Sequence, residues 1–471
     1  VDITAATETD SHYLLEEKKK SGLLSSGGIG FSLGKQSSRH EVDEKGTTQS
    51  QSVSTVGSTQ GNVNITAGNK LHVGGADLIA QKDINLTGDS VQIDPGYDER
   101  TRTETFETKQ SGLTVALSGS AGSALNTAVS TAQQARKESD GRLNALQNTK
   151  SILSGAQALQ AVELDGLKTD AANAHNAAGN YKPGDKDYQK GATNTVGVNV
   201  AYGSQSSKSE THSDSRQSQG STVNAGQNLS ITATGKNKDT NKDSGNISVV
   251  GSELKAGHDM SLSATQDINL ISAQNTQQTT GKNSSKGGSI GVGLTAGEGG
   301  AGINLSASAN HGKGHENSDG LTHSETTLDA GHKLTLNSGQ DTTLNGAQVS
   351  GEQVTVNVGR DLTLQSQQDS DHYDAKQQNV SVGAGYTVGG TPNISLSASK
   401  DKLHSNYDSV KEQTGIFAGK GGFDVNVKEH TQLDGAVIAS TADKDKNTLD
   451  TGTLGWHDIH NKAEFETAHS G

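Results

Sequence analysis

Apolar residues in this chain fall at alternate positions, in short runs broken by a glycine and two polar residues. The segments "ITAGNKLHV" (65–73), "VNAGQNLSI" (223–231), "LKAGHDMSL" (254–262), "LDAGHKLTL" (328–336) and "VNVGRDLTL" (356–364) align on that glycine, with aliphatic alternation on both sides. A period of two predicts β-strand, and the glycine with its polar pair predicts a tight corner. Leu71 and Val91, Val73 and Ile93, Leu336 and Val356, and Leu344 and Leu364 are each 20 residues apart, and Ile247 and Ile268 are 21 apart. Such a repeat predicts a solenoid, because one coil cannot bury its apolar face without a neighbour. A longer phrase, "GADLIAQKDINLTGD" (75–89), returns as "GSELKAGHDMSLSAT" (251–265), "GAQVSGEQVTVNVG" (346–359) and "GAVIAS" (435–440). The fold class expected is all-β, a right-handed parallel β-helix of about 20 residues per coil. Val63, Ile65, Leu71, Val73, Leu78, Ile84 and Leu86 are its inward positions, and Asp83, Asp259, Asp267, Asp341 and Asp361 are expected to bond local backbone at corners.

Four stretches rich in Gly and Ser interrupt the rhythm: 21–38, 109–120 with its partner 194–207, 286–310, and 379–400. In the third, Ile290, Val292, Leu294 and Ala296 run to a Gly-rich turn and Ile303, Leu305, Ala307 and Ala309 return, which predicts a β-hairpin. The arms of these hairpins, about nine or ten residues long with one apolar face and almost no charge, match a tilted strand crossing an outer membrane. Candidate membrane-facing residues are Ile290, Val292, Leu294, Ile303 and Leu305 on one hairpin and Val380, Val382, Tyr386, Ile394 and Leu396 on another. The competing expectation is a ribbon lying on the solenoid flank or pairing with its neighbour. The second hairpin is split by an Ala-, Gln- and Leu-rich insert (121–178), where Leu143, Leu146, Ile152, Leu153, Leu159, Val162 and Leu167 approximate helical spacing. Two or three helices are expected, with breaks at Gly141 and Gly155 and an exit at "KPGD" (182–185).

The expected organisation is a hairpin module (1–60), β-helix coils (61–108), a long hairpin carrying the α-helical insertion of about 121–180 (109–207), and coils (208–280). A projecting hairpin (281–320), coils (321–370), a second projecting hairpin (371–410), the last coils (411–445) and a polar tail (446–471) complete it.

Composition supports a narrow core: of 471 residues 29% are hydrophobic and 3% aromatic, with one Trp and one Met. A net charge of −14 argues against nucleic acid as a partner, and the one compact basic run, Lys18 to Lys20, follows Glu16 and Glu17. Without cysteine there are no disulfides or thiolate sites. No apolar run reaches 18 residues, and the start at Val1 without a leader reads as an excised fragment. His457, His460, Glu464 and His469 form the densest cluster of metal-ligand types, and His311, His315 and His323 follow a hairpin; both are read as solvated. No metal, cofactor or catalytic residue is assigned, because no nucleophile elbow, P-loop or H-E-x-x-H is present. A carbohydrate-active β-helix enzyme is the weighed alternative, but the aromatic and basic groove it needs is missing from the composition.

The repeated "AG-two polar-L-x-[VIL]" corner, the "DINL" phrases, the charge-poor hairpins and the helical insert inside "SGLTVALS…GVNVAYG" resemble the haemagglutinin repeats of two-partner-secreted exoproteins. More narrowly, the chain resembles the second filamentous-haemagglutinin repeat region of contact-dependent growth inhibition effectors. The resemblance covers about 55–440, with 1–54 fitting as a preceding hairpin module. It implies a secreted Gram-negative surface protein exported through an outer-membrane transporter, with a C-terminal toxin on the same polypeptide. This region would then help move the toxin across a neighbouring cell's outer membrane, meeting that membrane or one of its proteins. The alternative within the resemblance is the stalk of an adhesin. The family supplies no catalytic residues.

Overall fold

In a computed structural model, residues 1–25, 30–118, 120–135, 141–192, 195–297 and 299–471 are described. A 20-stranded parallel sheet winds into the solenoid, and a 9-stranded antiparallel sheet stands beside it. One coil consists of Ala76–Ala80, Ile84–Gly88 and Ser90–Asp94, and the next of Thr222–Ala225, Leu229–Ala233 and Ile247–Val250, so each coil has three faces. Strands of successive coils pair in register, which stacks Val63, Ile84, Leu229, Met260, Leu334, Val354 and Phe423 in one ladder. A second ladder runs Ile65, Leu86, Ile231, Leu262, Leu336, Val356, Val425 and Leu449. Of the expected inward residues, Val63, Leu71, Val73, Leu78, Ile84 and Leu86 are buried and Ile65 is partly so. Burying each Leu or Ile contributes about 1.5–3 kcal/mol, so the ladders are held by aliphatic residues, with Phe423 the one aromatic in the two.

The corner aspartates reach further than expected. Asp267 accepts from the Asp341 backbone N–H (2.9 Å), Asp341 from that of Asp361 (3.1 Å), and Asp361 from that of His430 (3.1 Å). On another corner Asp83 accepts from Asn228 N (3.0 Å) and Asp259 from Lys333 N (3.1 Å). Each carboxylate thus satisfies the corner amide of the following coil and fixes the register between coils. Asp341 also takes the Arg360 guanidinium, which holds its carboxyl below the usual range.

The hairpin arms are β1 (Glu8–Ser25), β2 (Gly30–Thr48), β3 (Gly96–Ser118), β4 (Val196–Gln219), β5 (Ala273–Gly297), β6 (Gly300–Ser324), β7 (Gln368–Thr387) and β8 (Pro392–Val410). They pair in that order, followed by β9 (Lys462–Ser470). The ribbons therefore neither stand alone nor lie on the flank; they join edge to edge into one wing. The arms also exceed the expected nine or ten residues, β5 and β6 being 25 residues each, because the flanking Ser, Thr and Gln stretches continue the antiparallel pairing. Hairpins accordingly begin earlier and end later than the sequence ranges, at 96–219, 273–324 and 368–410. The solenoid strands Asp2–Thr4 and Ser54–Ser58 flank the first hairpin. Residues 446–471, expected as a polar tail, supply the last solenoid strand Thr448–His457 and β9.

All four hairpins leave the solenoid at one corner, between the third-face strand of one coil and the first-face strand of the next: after Thr4, Asp94, Ile271 and Gln365. The intervening turns at that corner are made by Gly75 (φ 61°), Gly251 (φ 50°), Gly346 (φ 71°) and Gly435 (φ 57°). These glycines open the four occurrences of the long phrase, which marks the coils that turn without a hairpin. Left-handed backbone favours glycine, and a Cβ on Gly75 would lie 2.8 Å from Gly96 N. After the second, third and fourth hairpins the returning chain re-enters through a buried hydroxyl. Ser221 Oγ donates to Asp94 O (2.7 Å) and accepts from Ala76 N (3.1 Å). Thr326 Oγ1 donates to Ile271 O (2.6 Å), and Thr414 Oγ1 accepts from Gly346 N (3.0 Å). Two coils advance the solenoid by about 9.6 Å and two arms widen a sheet by the same distance. Equal pitch on one corner is why the hairpins meet as one sheet.

The insert forms α1 (Ser120–Ala135) and α2 (Gly141–Gly179) between β3 and β4. Gly141 starts α2, whereas Gly155, expected as a break, lies inside it. The side chains of Leu143 and Leu146 lie outside the described residues.

Candidate functional site: the apolar face of the wing

Antiparallel register puts directly opposed residues on the same face of a sheet. One rank across β1 to β8 reads Leu23, Leu33, Leu113, Tyr202, Ile290, Ala307, Ala384, Ile394. The next rank toward the tip reads Phe31, Val115, Val200, Val292, Leu305, Tyr386, Pro392 from β2 to β8, and beyond it Leu117, Val198, Leu294 and Ile303 are aligned on β3 to β6. All ten candidate residues from the sequence lie on this one face, since Val382 opposes Leu396 and Ala309, and Val380 opposes Ala398 and His311. They are exposed, with Ile290 at 66%, Leu294 at 67% and Ile394 at 77%.

The opposite face of the same segment is uncharged and, apart from the buried Leu24, built of small or polar residues. A rank there reads Gly22, Gly34, Gly112, Gly203, Ser289, Ser308, Gly383, Ser395. Hydroxyls pair across the strands, Ser289 with Ser308 at 2.8 Å and Ser381 with Ser397 at 2.7 Å. The apolar face runs from the Gly288 rank to the Ala296 rank, about 27 Å at the rise of a strand, close to the roughly 25 Å apolar band of membrane barrels. Aliphatic residues on one face and Gly, Ser and Asn on the other are what a sheet needs with lipid on one side and water on the other.

Sequence reasoning found four of the eight arms by name. It missed Leu23, Phe31 and Leu33, whose tip neighbours 26–29 lie outside the described residues, and Val198, Val200 and Tyr202, which the quoted "VGVNVAYG" carried. The helices add a second surprise. On α2 the buried positions are Ser154, Ala158, Asp165, Thr169, Ala172 and Asn176, while Ile152, Leu153, Leu159, Val162, Leu164 and Leu167 are exposed. Among its described side chains the helix therefore packs through small and polar residues and turns Leu153, Leu159, Leu164 and Leu167 outward, the reverse of a water-soluble amphipathic helix. Among the described residues no helix is long and apolar enough to cross a membrane.

At the base of the third hairpin Glu325 links β6 to the solenoid. Its Oε2 is buried without a hydrogen-bond partner, and burial, with the charges of Glu412 and Asp369, pushes the carboxyl up to about 7. His323, expected in a solvated cluster, is instead buried against Asp369 (Nδ1 to Oδ1, 2.9 Å). His311 and His315 stay on the wing, His457 pairs with Asp434 (3.2 Å), and His469 bonds Asp401, so neither sequence cluster gathers into a ligand set. The group with ligand geometry among the described residues is His258, Asp259 and His332, on one exposed corner. There His258 and His332 stack at 4.6 Å, and Asp259 already accepts from His332 and the Lys333 amide.

The fold and the candidate site together define a hairpin-bearing β-solenoid whose wing exposes one apolar face. The chain belongs to the haemagglutinin repeat family, whose model matches residues 32–177, 202–380 and 377–445. It is similar to the 16S rRNA endonuclease CdiA of Enterobacter cloacae subsp. cloacae, 58% identical over 100% of this chain and 13% of that protein. The tRNA nuclease CdiA of Escherichia coli strain NC101 is 52% identical over 100% of the chain and 14% of that protein. The deoxyribonuclease CdiA of Yersinia pseudotuberculosis serotype O:3 is 51% identical over 100% of the chain and 41% of that protein. The chain thus spans a minor part of each relative, and the activities in their names belong to those whole proteins. No solved structure matches the chain.

Proposed function

We propose that this region acts in contact-dependent growth inhibition as the segment that engages a neighbouring cell's outer membrane and helps deliver a C-terminal toxin on the same polypeptide. The region itself is read as non-enzymatic, within a secreted protein exported to the cell surface through an outer-membrane transporter. The observation that carries this reading is the in-register apolar face of β1 to β8 over a Gly- and Ser-rich reverse face. Lipid tolerates strands only when every backbone group is paired. The wing already pairs its arms edge to edge, so insertion needs no new pairing between hairpins; the outer edges of β1 and of distal β8 remain to be closed.

Protease digestion of residues 1–471 with and without vesicles of Gram-negative outer-membrane lipid tests the reading, with mass spectrometry reporting the surviving peptides. Protection of 286–310 and 379–400 only with lipid is the expected result. Equal cutting in both conditions favours the structural stalk.

A further inference from the structure

We infer that the apolar face of the wing is bordered by a built site for lipid phosphates, formed by Lys19, Lys35, Lys109 and Lys286 on four of its strands. The inference rests on the membrane reading above and names the headgroup chemistry that reading lacks.

Two residues below the Gly288 rank, on the apolar side of the sheet, the rank reads Lys19, Ser37, Lys109, Ser206, Lys286, His311 from β1 to β6. One rank nearer the tip Lys35 opposes Ser21 and Ser111 on the same face. Lys19, Lys109 and Lys286 recur on every second strand, about 9.6 Å apart. The small residues between them leave a hollow of about 960 Å³ lined by all four lysines with Ser111 and Ser204. No carboxylate lines it. Acidic residues on this face start one rank lower, with Glu17 and Glu107. Glu107 pairs with Lys109 at 2.7 Å, while among the described residues Lys19, Lys35 and Lys286 make no ion pair. On the reverse side the intervening rank reads Lys20, on the edge strand and also at the hollow, then Gln36, Gln110, Gln205, Gly287 and Asn310, with Lys18 one rank below. In a chain of net charge −14, positive charge concentrates on one side of the sheet, at the solenoid-side limit of its apolar segment.

Depth selects the ligand. A wing inserted from its tip up to the Gly288 rank would carry this hollow to the headgroup layer nearest the solenoid. Ammonium groups there meet phosphates, whereas the aliphatic ranks lie beyond in hydrocarbon. The occupant is therefore a phosphorylated lipid surface such as the glycolipid leaflet of an outer membrane.

Each Lys held near an anionic surface strengthens binding about fivefold, so replacing four weakens it about 600-fold. Flotation of the 471-residue chain is measured on vesicles containing lipid A and on vesicles containing dephosphorylated lipid A. For the combined variant Lys19→Gln, Lys35→Gln, Lys109→Gln and Lys286→Gln, the expected result is a loss of about 600-fold on the first vesicles and no change on the second. A control with the same charge change on the solenoid, Lys236→Gln, Lys238→Gln, Lys242→Gln and Lys255→Gln, is expected to bind as the parent does. Equal loss in the control, unchanged binding by the wing variant, or full displacement from the vesicles by millimolar inorganic phosphate each overturns the headgroup site. Val292→Asp separates the two readings. If it abolishes flotation while the lysine variant floats normally, the phosphate site falls and membrane engagement stands; if the parent floats on neither vesicle, both fall.

Discussion

The solenoid and the wing are written in the same alternation yet meet water differently. In the solenoid, Leu71, Leu262 and Leu336 are fully buried because three faces close on one another; in the wing, Ile290 and Leu294 stand two-thirds exposed because one layer has nothing to close on. A period of two says which residues share a face, and it is silent on whether that face is covered. The reverse side of each strand carries the missing information. Behind the buried ladders lie Asn64, Asn85, Ser230, Ser261, Thr335, Thr355 and Asp424, with no glycine among them, whereas behind the exposed Leu23-to-Ile394 rank lie only Gly and Ser.

The comparison breaks most visibly in the solenoid. Leu262→Asp, which buries a charge in the core ladder, should abolish the cooperative thermal transition, and Leu262→Ala should lower stability by about 2–5 kcal/mol in urea titration. At the shared corner, Ser221→Ala leaves Ala76 N without its buried acceptor, while Asp94 O keeps the Gly75 amide, and should cost about 1–3 kcal/mol in the same assay. Glu325 tests the junction of the two regions by pH. Its folded value of about 7 lies above the ordinary 4.5, so the stability linked to its proton is fully present below about pH 4.5 and lost as pH rises through about 7. Glu325→Gln should therefore stabilise the protein by about 2 kcal/mol at pH 8 and leave it unchanged at pH 4, read as a melting temperature at each pH. The smallest effect in water belongs to the wing. Val292→Asp, on an exposed face, should change the stability read from urea titration by less than about 0.5 kcal/mol while removing lipid protection of 286–310.

The coils were legible because their rules are local: alternation within a strand and a glycine at the turn. The candidate site was half legible, since the residues of an arm can be read from one segment but their union into a single face depends on where each hairpin leaves the solenoid. That corner was written in the chain as the four glycine phrases, whose alternation with the hairpins becomes meaningful once coils are counted. Thr448–His457 stayed hidden because it offers Leu449, Leu454 and Trp456 rather than a full aliphatic ladder. Gly155 misled because packing between α1 and α2 outweighs the roughly 1 kcal/mol that glycine costs a helix.

Both sheets add strands strictly in chain order: each coil lies on the one before it, and each hairpin lays its first arm against the last arm of its predecessor. Assembly therefore has one growing end. A polypeptide emerging gradually, amino terminus first, always finds a finished template waiting and never requires a segment still to come. Each new coil or ribbon docks on strands already formed, so the molecule lengthens coil by coil. A carboxyl-terminal truncation should then leave a shorter but properly formed molecule.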